Sequence, residues 1–370
     1  MRIWGDMELN IYKDKARVLS LVDEVKKNIQ KPVRLMEVCG THTQSFFKYG
    51  LKSLLPKELD LVSGPGCPVC VTDDADIDTI WELCKERDII ITTFGDMIKV
   101  PGTKGNLSEL RAEGADIRVV ISPMDAIKIA KENPAKSVVF IAIGFETTIP
   151  LIAYSLIFAK NNKVDNFFIY NALKTMPVVL DVLFSDPEIR LDGLICPGHV
   201  SSIIGTDAYI PVVNKYKLPC VVAGFEPLDL MLAILMLIKQ VNESDARVEN
   251  AYARVVAKIG NLKALETISA VFKPGDVRWR GMGLIENSGL SLRDDFESFD
   301  ICKKFDIVLE TKDESKKNPC QCGDVLKGKL KPPECKLFRK ICEPTNPKGP
   351  CMVSSEGSCN TYFRYYSEEV

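Results

Sequence analysis

At 370 residues the chain is long enough for two or three domains, each with its own core. Hydrophobic residues make up 46% and charged residues 26% of it, the balance of a globular protein rather than of a fibrous or disordered one. A net charge of −2, with no basic block standing out, excludes the electrostatic footprint of a nucleic-acid binder.

The start, Met1-Arg2-Ile3-Trp4-Gly5-Asp6, lacks the apolar core of a signal peptide. The most apolar run, Leu228 to Ile238, is too short to span a bilayer and reads as a buried helix. The expectation is a cytoplasmic protein with no membrane attachment. Apolar positions at Ile11, Val18, Leu21, Val22, Val25 and Ile29 predict an amphipathic helix over 11–30. From residue 33 short apolar runs alternate with helical segments. The predicted strands are Val33–Val38, Leu59–Ser63, Ile89–Phe94, Ile117–Ser122, Val138–Ile143, Phe167–Tyr170, Gly193–Cys196 and Cys220–Ala223. Such β-branched, apolar runs suit strands buried on both faces. Helical patterns follow nearly all of them, for example at Asp76–Glu86, Pro123–Lys131 and Ile149–Ala159. Eight βα units predict an α/β fold with parallel sheets.

The preferred arrangement is two doubly wound parallel-sheet domains facing a cleft, over 33–135 and 136–241. A weak internal echo supports the split: Cys39-Gly40-Thr41-His42-Thr43 resembles Gly144-Phe145-Glu146-Thr147-Thr148. A single eight-stranded barrel is the alternative. Residues 1–32 form an N-terminal helix expected to pack on a C-terminal domain over 242–370. Within that domain Asp245–Ile268 reads as one long helix. Residues 272–300 are rich in glycine, aromatic and basic residues around Trp279-Arg280-Gly281-Met282-Gly283. The segment 319–359 is dense in Pro, Gly and Cys and lacks the apolar periodicity to build a core unaided, so a metal cluster is expected to staple it.

Thirteen cysteines, an odd number, argue for metal binding or redox chemistry rather than a structural disulfide framework. Six of them (Cys320, Cys322, Cys335, Cys342, Cys351, Cys359) fall in the last 51 residues. The set Cys320-x14-Cys335-x6-Cys342-x16-Cys359 supplies four soft donors. They suit an iron–sulfur cluster or zinc; the long, irregular intervals favour a cluster over zinc knuckles. Cys322 and Cys351 remain as a dithiol beside it or as buried thiols. Cys67-Pro68-Val69-Cys70 is a C-x-x-C between a strand and Thr72-Asp73-Asp74, which reads as a helix N-cap with acidic first-turn residues. The helix dipole lowers a thiol pKa there, while the two aspartates raise it. The alternatives are a redox or metal role and a tight turn that holds two buried thiols.

Cys39 and His42 stand at the carboxyl end of a strand, where open α/β sheets bind ligands. Cys39 can give one ligand to a metal shared with another protein. His42 can be a second ligand, position the thiolate, act with Cys39 as a nucleophilic pair, or be a core histidine. Glu146 and His199, in Cys196-Pro197-Gly198-His199, occupy two further strand ends, so His42, Glu146 and His199 could converge on one cleft. Cys84, Cys196, Cys220 and Cys302 read as core thiols. No phosphate loop is present.

Together, Cys39-Gly40-Thr41-His42-Thr43, Gly64-Pro65-Gly66-Cys67-Pro68-Val69-Cys70, Gly144-Phe145-Glu146-Thr147-Thr148, Pro197-Gly198-His199-Val200-Ser201 and Cys351-Met352-Val353-Ser354-Ser355-Glu356-Gly357 resemble the signatures of the HypD family of hydrogenase maturation proteins. The resemblance spans about residues 30–365. It implies a scaffold and redox protein for assembling the Fe(CN)2CO unit of [NiFe]-hydrogenase. Iron would be held by Cys39 together with a HypC-like chaperone, and cyanide accepted from a HypE-like donor. It further implies a [4Fe-4S] cluster on Cys320, Cys335, Cys342 and Cys359, and a dithiol–disulfide pair at Cys67 and Cys70. Cys322 and Cys351 are a further candidate redox pair, and the chain is expected to be a monomer within a hetero-complex. The cluster region of the family is similar to ferredoxin–thioredoxin reductase, so a stand-alone iron–sulfur thiol–disulfide reductase is the second expectation.

Overall fold

The computed structural model describes residues 11–307 and 319–366. Eight strands form where the apolar runs place them: β1 Val33–Glu37, β2 Leu59–Ser63, β3 Ile89–Thr93, β4 Ile117–Val119, β5 Ser137–Ala142, β6 Phe167–Asn171, β7 Gly193–Pro197 and β8 Cys220–Ala223. Their side chains are largely buried on both faces, most completely in β3, β7 and β8, while the edge strand β4 leaves Val119 exposed. All eight pair in parallel. They lie in two separate sheets with orders β2-β1-β7-β8-β9 and β4-β3-β5-β6, where β9 is Val248–Asn250. The fold is therefore α/β with two parallel sheets and is not one closed barrel.

The sheets do not follow the expected halves 33–135 and 136–241. Strand β1 pairs with β7, Leu35 opposite Gly193 and Glu37 opposite Ile195. The unit β3–β6 is thus inserted between β2 and β7 of the first sheet. An internal echo marks equivalent βα units, but pairing is decided by which strands can complete the buried flanks of β1. The first site segment and the His199 segment consequently lie at neighbouring strand ends of one sheet.

The N-terminal helix, Lys15–Asn28, starts at Asp14, whose carboxylate accepts the Ala16 and Arg17 N–H groups. Its buried stripe Val18, Val22, Val25 packs with Leu230, Ile234 and Ile238 of helix Pro227–Glu243. Each fully buried valine contributes roughly 1.5–3 kcal/mol. Asn242 ties the far end by donating to the Asn28 carbonyl (2.8 Å). This helix therefore covers the first sheet, because its apolar stripe completes the layer that helix Pro227–Glu243 begins.

The long helix expected over Asp245–Ile268 is not formed. Val248 pairs with Cys220 and extends the first sheet by β9, and sheet pairing overrides the helical pattern. A shorter helix, Leu262–Val271, begins where Asn261 caps the Ala264 N–H. There follows an antiparallel hairpin, β10 Phe272–Trp279 and β11 Gly283–Leu292, with Arg280-Gly281-Met282 at its tip. The C-terminal segment holds only short helices and turns around a small core of Phe338, Cys342, Met352 and Tyr362. No helix among the described residues is long and apolar enough to cross a membrane.

Candidate functional site

Cys39 follows β1 and is the N-cap of helix Gly40–Lys48. The Gly64-Pro65-Gly66 turn after β2 presses onto it. Gly64 donates to the Glu37 carbonyl (2.8 Å) and Gly40 to the Gly66 carbonyl (3.3 Å). A Cβ on Gly66 would lie 2.3 Å from the Cys39 nitrogen, so only glycine permits this approach. The two cysteine motifs are adjacent because β1 and β2 are adjacent. The Cys39 thiol is buried, and burial pushes its pKa up to about 12, with nearby Glu356 adding to the rise. The N–H groups of His42 and Thr41 and the Thr41 hydroxyl oppose it.

Cys67 caps the one-turn helix Pro68–Val71, its sulfur accepting the Cys70 N–H (3.2 Å), and Cys67 and Cys70 are joined as a disulfide. The next helix, Asp74–Leu83, is capped by Asp73 rather than Thr72, one residue later than the sequence pattern places the cap, with Asp74 and Asp76 in its first turn.

His42 is fully buried, with Nε2 3.3 Å from the Ala223 carbonyl at the end of β8. A carbonyl only accepts, so Nε2 carries the proton and Nδ1 keeps its lone pair, which has no hydrogen-bond partner. Burial lowers the His42 pKa to about 4 and so holds the ring neutral. The ring addresses Ala223, and the His42 backbone N–H reaches Cys39; the side chains do not form a thiolate–imidazole pair. Phe225 sits between the two histidines, 5.0 Å from His42 and 3.8 Å from the exposed His199, centroid to centroid. Of the three groups expected to converge, the structure brings the two histidines to one aromatic stack. Glu146 hydrogen-bonds neither. Its Oε1 accepts the Met176 N–H (2.9 Å), Oε2 has no partner, and burial pushes the carboxyl up to about 7. Cys84, Cys196 and Cys220 are buried core thiols as expected, and Cys302 is half-buried.

All six C-terminal cysteines line one small cavity, whose other walls include Val325, Leu337, Phe338 and Met352. A Cβ on Gly349 would lie 2.3 Å from the Cys320 sulfur, so glycine leaves the space that this sulfur takes. The Cys342 sulfur accepts the Lys348 N–H (3.3 Å). Cys322 and Cys351 are in thiol–thiol contact (2.9 Å). Among the described residues no three His, Cys, Asp or Glu side chains are set to hold a single ion. The donor set is a ring of thiols around an apolar hollow, which suits a polynuclear group with one thiolate on each metal atom.

Two residues given no role in the sequence join these parts. Arg280, at the hairpin tip, is buried; its N–H donates to the Val71 carbonyl (2.9 Å), its Nε to the Thr72 carbonyl (2.8 Å), and it pairs with Asp74. Its cationic field reaches Cys322. Helix Pro350–Val353, which contains Cys351, packs on the Pro68–Val71 helix. The second residue is Glu356, whose carboxylate accepts from the Thr41 hydroxyl (2.9 Å) beside Cys39. The local density of Trp, Arg and Gly around 280 is the available signal for the first. Glu356 has none beyond its place in a cysteine-led motif.

This is an α/β protein in which a C-x-x-C disulfide stands between a strand-end thiol and a six-thiol cavity. A family model described as HypD, "Hydrogenase formation hypA family", matches residues 16–366. The chain is 42% identical to Hydrogenase maturation factor HypD of Escherichia coli K12, covering 97% of this chain and 98% of that one. It is 44% identical to Hydrogenase maturation factor HypD2 of Bradyrhizobium diazoefficiens (96% and 95%) and 42% identical to HypD of Azotobacter vinelandii (95% and 94%). The chain belongs to the HypD family of hydrogenase maturation factors.

Proposed function

We propose that this protein is the scaffold and redox component for building the Fe(CN)2CO unit of [NiFe]-hydrogenase, working in the cytoplasm as a monomer within a hetero-complex. The observation that carries the reading is the unbroken adjacency of its thiols. The six-cysteine cavity includes the Cys322–Cys351 contact, the Cys351 helix packs on the C-x-x-C helix, and the Gly64-Pro65-Gly66 turn that leads into the C-x-x-C is pressed onto Cys39.

The cargo iron is held by Cys39 together with a cysteine of a HypC-like chaperone, and cyanide arrives from a HypE-like donor. Soft thiolate suits an iron that carries strong-field diatomic ligands. Burial keeps the Cys39 proton in place at neutral pH until a metal displaces it, so the free site is protected from adventitious oxidation. His42, neutral with an unpartnered Nδ1, can accept a hydrogen bond or support a ligand beside it.

Cys320, Cys335, Cys342 and Cys359 fit a [4Fe-4S] cluster. Their sulfurs share one apolar-walled cavity, Gly349 clears space at Cys320, and a backbone N–H points at Cys342. When bound, such a cluster supplies single electrons at low potential. The protein's own thiols complete the chemistry: two electrons and two protons convert the Cys67–Cys70 disulfide into two thiols. Arg280 fixes the helix that carries that pair against the Cys322 side of the cavity.

The test is anaerobic co-purification with the HypC-like and HypE-like partners, followed by infrared spectroscopy. Cys39→Ala keeps the fold and loses the CN and CO bands; bands that persist in this variant would overturn the assignment of Cys39. A second reading, a stand-alone iron–sulfur thiol–disulfide reductase, draws on the same disulfide beside the same cavity. A Cys67→Ala variant that still builds the iron unit would count against obligatory dithiol chemistry in the scaffold. Iron and sulfide analysis separates both readings from a zinc-stapled protein.

A further inference from the structure

Charge in this chain is unevenly placed. Residues 327–348 carry seven Lys or Arg against two Glu, a net +5 in a chain whose total is −2. No run of adjacent basic residues announces this, because prolines, cysteines and apolar residues are interleaved. Lys327, Lys329 and Lys331 are paired with Asp324, Asp186 and Asp60. Lys336, Arg339, Lys340 and Lys348 have no carboxylate partner among the described residues. Lys336, Arg339 and Lys340 are exposed, and Ile341 beside them is 51% exposed.

The fold places this cationic face directly over the cysteine cavity. Cys335 and Cys342 face inward, and a tight turn joins them: Phe338 N–H donates to the Cys335 carbonyl, and Arg339 N–H to that of Cys342. The same eight-residue loop presents two cavity thiols on one side and, on the other, cations without a carboxylate partner among the described residues, around an apolar centre. A small apolar contact within a charged rim is the anatomy of a transient electron-transfer interface, where field steers the encounter and little area is buried.

We propose that the outer face of the 335–348 loop is the docking surface for a small acidic one-electron carrier protein, which reduces the centre held in the cavity. The proposal rests on the reading of that cavity as a cluster site. Each encounter passes one electron from the reduced carrier, which leaves oxidised by one electron. Two encounters, with two protons taken from solvent, balance the conversion of one Cys67–Cys70 disulfide to two thiols.

The experiment uses the full chain with its cluster intact, verified by iron and sulfide content and visible absorbance. A reduced plant-type [2Fe-2S] ferredoxin, which is acidic, serves as one probe and reduced methyl viologen, a cation, as the other. Stopped-flow bleaching of the cluster is followed at low and high salt. Lys336→Glu with Lys340→Glu slows reduction by the ferredoxin about tenfold at low ionic strength, and the difference shrinks as salt rises. Reduction by the viologen is not slowed. The milder pair Lys336→Gln and Lys340→Gln gives an intermediate rate, and Lys263→Glu, on the exposed face of helix Leu262–Val271, has no effect. Equal ferredoxin rates in wild type and the glutamate pair, with the cluster present in both, overturn the docking surface and leave the cluster reading intact. A chain without iron and sulfide overturns both. If the glutamate pair weakens binding of the maturation partners while ferredoxin rates hold, the surface belongs to those partners and the proposal falls.

Discussion

The strand-end site around Cys39 and the cysteine cavity at the C-terminus are made in opposite ways. Cys39, Gly66 and Cys67 are held by two parallel strands, a glycine contact and backbone hydrogen bonds, inside a core that extends across both sheets. The cavity is held by turns and four short helices, over a local core of four side chains. The first site is pre-shaped by folding. The second gathers six thiols that the surrounding chain has little apolar area to fix, so on the proposed cluster reading its order would depend on the group the thiols bind. On the proposed scaffold reading this division is useful: a site for cargo iron would keep its geometry when empty, and a centre supplying electrons would be built in once.

That comparison can be broken most directly at Cys320. Cys320→Ser removes one of the four proposed ligands from a segment without a sizeable core. The expected loss is about 4 kcal/mol, the scale seen when a structural metal is lost. Hydrogen exchange should show the loss concentrated in 319–366, with the two parallel sheets still protected. Thermal melting equal to wild type would show that the segment needs no staple.

The buried acid at the end of β5 sharpens the same contrast, since a core that pre-shapes its sites also bears the cost of the polar groups it buries. Burial raises the folded-state pKa of Glu146 from 4.5 to about 7, and the Met176 N–H only partly offsets this. Between those values the native state binds more protons than the unfolded state, so stability falls as pH rises through this window. At pH 8 the ionised, half-satisfied carboxylate costs about 3 kcal/mol. Glu146→Gln keeps an acceptor for Met176 and removes the charge. Its stability relative to wild type should therefore be about 3 kcal/mol more favourable at pH 8 than at pH 4, measured by urea unfolding. An offset independent of pH would mean that Glu146 is solvated in the native state.

Much of this architecture is legible in the sequence, and the reasons are local. Leu59–Ser63 and Cys220–Ala223 are legible to the residue because a doubly buried strand needs an unbroken apolar run bounded by turn residues. The helix start at 72–74 is legible to within a residue, Asp73 taking the cap in place of Thr72, because a capping bond is made within its own turn. Pairing at a distance is not legible. The β1–β7 contact, the fifth strand at Val248 and the seat of the N-terminal helix are decided by which faces remain uncovered after the other elements are placed. At the site, the cysteines are visible by type and spacing. Arg280 is not, because its role comes from three backbone and side-chain acceptors more than 200 residues away in the chain.

The smallest effect tests the pre-shaped site itself. At Gly66 the obstacle to any side chain is backbone, because the nitrogen and Cα of Cys39 lie only 2.3 and 2.4 Å from where a methyl carbon would sit. Backbone cannot rotate away as a side chain can. Gly66→Ala must therefore separate the β1 and β2 strand ends by a fraction of an ångström or more, at a cost of about 2 kcal/mol. The hydrogen bond from Gly40 to the Gly66 carbonyl, already 3.3 Å, lies on that line and should weaken with it. Because Cys39 caps the following helix, the strain passes to the thiol that would hold iron. The expected outcome is a modest drop in the urea midpoint together with a disproportionate loss of iron loading in the presence of the HypC-like partner. Loading reduced only in step with stability would mean that Cys39 tolerates displacement, and that the site is shaped by its partner as much as by this fold.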